Sequence, residues 1–101
     1  MADAAFQALA EPRRREILRL LRERPCSVGE LTTHFDVSQQ AISHHLQVLK
    51  DAGLVAVRPE AQRRLYLVRT EGLDSVREFL ADFWPAKLGE LKHAVEGETA
   101  G

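Results

Sequence analysis

The stretch from Ser27 to Leu54, SVGELTTHFDVSQQAISHHLQVLKDAGL, constrains the fold of this chain more than any other. It reads as two short helices joined by a tight turn. Ser27 and Glu30 have the spacing of a capping box, which opens a helix running to about Phe35. Val28, Leu31 and Phe35 form its inward side. Asp36-Val37 makes the turn, and Ser38 is placed to cap a second helix from Gln39 to Ala52. Ile42, Leu46 and Leu49 recur at intervals of four and three, the period of one buried helix face. Gly53 ends this helix in a left-handed conformation that costs glycine no Cβ clash, and Leu54 folds back on the last turn. The opposite side of the second helix carries Gln39, Gln40, Ser43, His44 and Gln47, with almost nothing apolar among them.

The flanks complete a fold. Ala2 to Ala10 has apolar residues at Ala5, Phe6 and Leu9, a short helix that ends before Pro12. Pro12 suits the first turn of the next helix, where its missing N–H costs nothing. That helix, PRRREILRLLRER, buries Ile17, Leu18, Leu20 and Leu21 and stops before Pro25. Val55 to Arg58 and Arg63 to Val68 alternate as paired strands, with Pro59 to Gln62 as the polar loop between them. Thr70 is placed to cap a last helix reaching about Glu96, kinked or divided at Pro85. Its stripe of Leu73, Phe79, Leu80, Phe83, Trp84, Leu88 and Leu91 is more apolar surface than one small body covers, so a second chain is expected. The pattern is mainly α with a small β-hairpin: about five helices and a two-stranded wing, a winged helix-turn-helix in a homodimer. All 101 residues fit one domain, with the helix-turn-helix at 27–54, the wing at 55–68, and flanking helices at 2–10 and 71–96, the last of them the expected dimerisation helix.

The net charge of −1 conceals an uneven distribution. Residues 1–70 hold 11 Lys and Arg against 8 Asp and Glu, whereas residues 71–101 hold 3 against 7. A basic body with an acidic C-terminal segment suits a protein that meets phosphate on one side only. No apolar run approaches the roughly 20 residues needed to span a bilayer. The N-terminus lacks the order of a secretory signal, and Cys26 is the lone cysteine, so a reducing cytoplasm is the expected location.

These residues suit double-stranded DNA. A helix fits the major groove, where each base pair presents its own donor and acceptor pattern. Glutamine pairs with adenine through both amide atoms, and Ser43 and a neutral His44 donate or accept as required. The free N–H groups at the start of the second helix, with Ser38, suit a phosphate. Thr32 and Thr33 are candidates for further backbone contacts. Arg63 and Arg64 at the hairpin, with Arg58 behind them, reach phosphates or an adjacent minor groove. His45 borders the buried stripe and reads as a packing or hydrogen-bonding residue, and His34 as plain surface.

Taken together, LAEPRRREILRLL, ELTTHFDVSQQAISHHLQVLKDAGLV and RRLYLV resemble the ArsR/SmtB-type bacterial repressor family over about residues 4–70. The resemblance implies a homodimer, built on the first and last helices, that binds a palindromic operator and blocks transcription. It also implies an inducer, often a metal ion or arsenite, and here the chain departs from the pattern. Arsenite-type members carry paired cysteines near the start of the motif, but one Cys26 thiolate cannot build a soft trigonal site. Zinc-type members carry an Asp-x-His and a His-x-x-[His/Glu] pair on the last helix. This chain has His93 and Glu96 at the second pair but Leu80 and Asp82 at the first. Asp82, His93 and Glu96 would give three mixed ligands without a fourth. A metal-independent member with no cofactor is expected, and a metal-responsive repressor using those three residues is the alternative. Cys26, near a helix N-terminus, is a redox candidate, against an inert small residue.

Other classes fit less well. No local motif assembles a nucleophile, a base and an orienting acid, and there is no glycine-rich phosphate loop, so an enzyme is not expected. A winged-helix module that docks protein should expose apolar groups where this chain has glutamines and arginines. RNA binding favours aromatic platforms, and Tyr66 is the only tyrosine. The regulated gene, a small-molecule effector and any contact with RNA polymerase are not specified by the sequence.

Overall fold

The computed structural model describes residues 2–84. Helix α1 (Ala2–Ala10) is followed at once by α2 (Pro12–Glu23). Glu11 separates them and caps α2, its carboxylate accepting from the Arg13 N–H at 3.2 Å. Pro12 occupies the first turn, as its geometry favours. The arginines that follow cap the helix before them. Arg14 Nε donates to the Ala8 carbonyl at 2.7 Å, and an Arg15 Nη donates to that of Leu9 at 2.7 Å. Two cations thus sit on the negative end of α1.

Helix α3 (Val28–His34) opens on the complete capping box formed by Ser27 and Glu30. Helix α4 (Gln39–Asp51) starts from Ser38, whose hydroxyl accepts from the Ala41 N–H at 3.1 Å. It closes on Gly53 at φ +76, with Leu54 N–H reaching the Leu49 carbonyl at 2.9 Å. Ile17 and Leu21 of α2, Leu31 of α3, and Ile42, Leu46 and Leu49 of α4 meet in one core with Leu54 and Val55. Ala8 of α1 belongs to this core too, fully buried, although its small side chain gave no strong apolar signal. Leu18, Leu20, Val28 and Phe35 border the core as half-buried residues.

Strands β1 (Val55–Glu60) and β2 (Arg63–Val68) form an antiparallel hairpin in which Pro59 lies opposite Arg64 and Glu60 opposite Arg63. The connection is therefore the two residues Ala61 and Gln62, shorter than the expected loop from Pro59. Ala61 takes φ 55, a left-handed conformation costing a non-glycine residue roughly 1 kcal/mol, which the pairing on either side sustains. A third backbone segment joins this sheet. Cys26 N–H donates to the Tyr66 carbonyl at 3.0 Å and accepts at its own carbonyl from Tyr66 N–H at 2.8 Å. The link between α2 and α3 thereby anchors the wing to the helices.

After β2, Glu71–Leu73 forms a 3-10 turn, and helix α5 runs Asp74–Ala81. Thr70 precedes the turn but makes no side-chain cap, so the expectation of a helix opening there is corrected. The correction has a steric cause. Gly72 N–H donates to the Gly53 carbonyl at 3.1 Å, and a Cβ on Gly72 would stand 2.6 Å from the Ala52 and Gly53 carbonyl oxygens. The chain must pass close beneath the end of α4 before a regular helix begins. Helix α5 ends ahead of Pro85, consistent with the restriction a proline places on the residues before it. Among the expected features of the last helix, Leu88, Leu91, His93, Glu96 and the break at Pro85 lie outside the described residues. No helix among the described residues is long and apolar enough to cross a membrane.

Candidate nucleic-acid interface

Helix α4 presents two unlike sides. Ile42, Leu46 and Leu49 are fully buried, while Gln39, Gln40, Ser43, His44 and Gln47 are all exposed. Gln39, Gln40 and Ser43 line one shallow concavity at the start of the helix. Gln47 is partly committed, because its amide nitrogen donates to Asp51 Oδ1 at 2.8 Å. His44 projects outward beside His45, the ring centroids 6.0 Å apart.

The flanking candidates are placed less uniformly. Thr33 is exposed and Thr32 half-buried, and each hydroxyl donates at 2.7 Å to a carbonyl of its own helix: Thr32 to Val28, Thr33 to Glu30. Their lone pairs remain, but their protons are spent within α3. Ser38 is exposed, and its oxygen is occupied as the helix cap. Arg58, Arg63 and Arg64 are all exposed on the wing. Arg58 lies 3.7 Å from Glu60 on the same strand, and Arg63 lies 3.6 Å from Glu30 of α3. Among the described residues Arg64 has no ion-pair partner. Lys50 and Arg69 border the same wing surface as Arg64, a basic neighbourhood that the sequence reading did not assemble. Their positions at the end of α4 and just after β2 give no local motif.

Glu30 is the acidic centre of this region. Its Oε1 accepts from Ser27 N–H at 2.9 Å, and its Oε2 accepts from an Arg24 Nη at 3.1 Å. The Ser27 N–H, then Arg24, hold the carboxyl well below the usual range, at about 2. It is ionised at neutral pH.

His45 is half-buried, and Arg14 Nη1 lies 3.3 Å from its Nδ1. Burial first, and Arg14 second, lower its pKa, so it serves packing and hydrogen bonding as expected. Arg13 lies over the Phe35 ring at 5.3 Å, spending its charge on a cation–π contact rather than on open surface. Cys26 is buried, and burial pushes its thiol pKa up, which runs against the redox candidate.

Of the dimerisation candidates, Phe79, Leu80 and Phe83 are exposed, while Phe6, Leu9, Leu73 and Trp84 are half-buried. Phe6 of α1 meets Phe79 of α5 edge-on at 5.3 Å, and Phe79 meets Phe83 at 4.9 Å. Asp82 is exposed just past α5. Among the described residues, no three His, Cys, Asp or Glu side chains come together as a metal-holding group. With Cys26 buried and alone, this part of the chain does not fit the soft-metal site of the arsenite-type pattern.

A capped helix-turn-helix with a polar outward face, beside a hairpin carrying arginines, is a winged helix-turn-helix of the DNA-binding class. Residues 11–57 match the family described as bacterial regulatory protein, arsR family. The chain is 42% identical over 96 residues to the HTH-type transcriptional regulator Rv2034 of Mycobacterium tuberculosis, covering 95% of this chain and 90% of the relative. It is 33% identical over 78 residues to the transcriptional repressor SdpR of Bacillus subtilis, covering 77% and 87%. Among solved structures, it superposes on the homodimeric winged helix-turn-helix DNA-binding domain of Mb0332 from Mycobacterium bovis. The TM-score is 0.64 at 35% identity, over 77% of this chain and 70% of that one. The chain belongs to the arsR family of bacterial regulatory proteins and is a transcriptional regulator, not an enzyme.

Proposed function

We propose that this regulator binds a palindromic DNA operator as a homodimer and represses transcription in the cytoplasm, without a metal inducer. The observation that carries the reading is the exposure of Gln39, Gln40 and Ser43 together at the start of α4, over a fully buried opposite face. Those three, with His44 and Gln47, read base edges in the major groove. Ser38, Thr32 and Thr33 position the phosphate backbone, and Arg58, Arg63 and Arg64 grip it from the wing. In this division of labour, 27–54 reads DNA, 55–68 clamps it, and 2–10 with 71–96 joins two chains. The exposed Phe79, Leu80 and Phe83 support that last assignment.

Footprinting on the DNA upstream of the protein's own gene tests the proposal. Two-fold symmetry places the protected half-sites one helical turn apart, about 34 Å, or a multiple of it. Binding that does not distinguish this DNA from random duplex would end the sequence-specific reading. Calorimetric titration with zinc should give no stoichiometric binding at micromolar metal; tight binding abolished by His93→Ala would overturn the metal-independent assignment.

A further inference from the structure

The three wing arginines are held in three different ways. Arg64 has no ion-pair partner among the described residues, and Arg58 faces Glu60 on its own strand, so that pair travels with the wing. Arg63 alone of the three reaches another element: its Nη1 is 3.6 Å from Oε1 of Glu30, on the first helix of the helix-turn-helix. At that distance the contact is an ion pair rather than a hydrogen bond.

Glu30 does not depend on Arg63. Its carboxylate already accepts from Ser27 N–H at 2.9 Å and from Arg24 at 3.1 Å, and both bonds remain if Arg63 departs. Arg63 is the most distant of its three partners, and its side chain is 55% exposed, open to an incoming anion. A duplex phosphate offers a full charge and matched geometry to a guanidinium. The exchange costs Glu30 little and gives Arg63 a stronger partner.

We propose that Glu30 is a positioning residue for DNA binding: in the free protein it parks Arg63 against α3, and duplex phosphate takes the arginine from it. The proposal rests on the DNA-binding role of the wing and adds a competing intramolecular anion to it. Glu30 thereby sets how tightly Arg63 engages DNA of any sequence.

The test is a double-mutant cycle on Glu30→Gln and Arg63→Ala, with affinities measured for the upstream DNA and for random duplex. Glutamine keeps the capping box, since its carbonyl oxygen accepts from Ser27 N–H, so the variant should fold, melting somewhat below the parent because Arg24 loses its charged partner. In the Arg63 background, Glu30→Gln should tighten binding to both duplexes about two- to fivefold, the strength of one exposed ion pair. In the Arg63→Ala background the same substitution should give a distinctly smaller gain, limited to what freeing Arg24 and removing one negative charge contribute. Arg63→Ala alone should weaken both duplexes and lower the log–log salt slope by about 0.9.

An equal gain in both backgrounds would mean that Glu30 merely repels DNA through space, and would overturn the proposal. No gain, or a loss, in the Arg63 background would overturn it as well, as would an Arg63→Ala variant that binds as tightly as the parent. These failures leave the DNA-binding reading intact, provided the parent binds duplex. A parent that binds neither duplex would defeat that reading itself.

Discussion

Helix α4 buries one side in the core, whereas α5 rests against α1 and fully buries no residue, and their open sides differ in kind. That of α4 carries Gln39, Gln40 and Ser43, which hydrate well and lose nothing by waiting in water. That of α5, with the turn that follows it, carries Phe79, Leu80 and Phe83, with Phe83 at 69% exposure. Apolar surface left in water costs roughly 25 cal/mol per Å2, so such a face calls for a standing partner. A polar face suits a partner that comes and goes. Under the proposed function the two helices would divide recognition by lifetime: a lasting join to a second chain through α5, and a reversible one to DNA through α4.

The largest effect should come from the apolar side. In an isologous dimer every interface residue counts twice. Phe83→Ala should then remove about 3–6 kcal/mol of association, taking 1.5–3 kcal/mol for each buried phenyl ring. The dimer dissociation constant rises more than about a hundredfold, as sedimentation equilibrium would show. The monomer should keep its fold, because Phe83 meets Phe79 outside the buried core. An unchanged dimer would remove the distinction between the two helices.

The polar side predicts a smaller and more selective change. Gln40→Ala should cost about 1–3 kcal/mol on the cognate operator and relax its base preference. Dimerisation and melting temperature should not move, since the side chain is exposed. Equal losses on cognate and random DNA would place Gln40 on phosphate rather than on a base.

Short-range rules made the helix-turn-helix readable in advance. The Ser27–Glu30 box, the Ser38 cap and the Gly53 stop each act within a few residues, and each stands where its spacing placed it. The same holds for the buried faces of α2 and α4. What escaped the sequence joins residues that are distant along the chain. Nothing local pairs Cys26 with Tyr66, brings Arg63 to Glu30, or passes Gly72 under the end of α4. The two-residue wing turn carries no local signal, because Ala61-Gln62 lacks the glycine or asparagine that marks such a hairpin. Arg13, Arg14 and Arg15 are three of the 11 cations that make residues 1–70 basic, yet Arg14 and Arg15 cap α1 and Arg13 lies on Phe35. Charge counting cannot separate a cation spent on its own protein from one left for DNA. At the interface, the exposed face of α4 was legible from helical period, whereas the partners of the wing arginines were not.

The smallest predicted effect concerns the connection between the two helices. Arg14 Nε and Nη2 donate to the Ala8 and Gln7 carbonyls of α1, the helix whose Phe6 packs on α5. Its Nη1 points at Nδ1 of His45 on α4. A guanidinium only donates, so Nδ1 must offer a lone pair, and the ring is neutral with its proton on Nε2. Protonating His45 would set two cations face to face in a half-buried site. Burial, then Arg14, lower the pKa of this histidine below 6.5; His44 and Arg13 add to the shift, and Glu11 opposes it. Between that lowered value and 6.5 the unfolded chain binds more protons than the folded one, so stability rises with pH across the window. The contribution is complete above about pH 6.5 and is lost as the pH falls through 6.5 toward the folded value. Glu30, held near 2, and Glu71, held below its ordinary value by Arg69, change charge below this window and do not obscure it. Melting curves from pH 7.5 to 5.5 should therefore show a modest fall for the parent. His45→Gln, whose amide oxygen still accepts from Arg14, should remove most of that fall while keeping α1 tied to α4. A parent whose melting temperature is flat across the window would mean that the Arg14–His45 contact contributes nothing to joining the two regions.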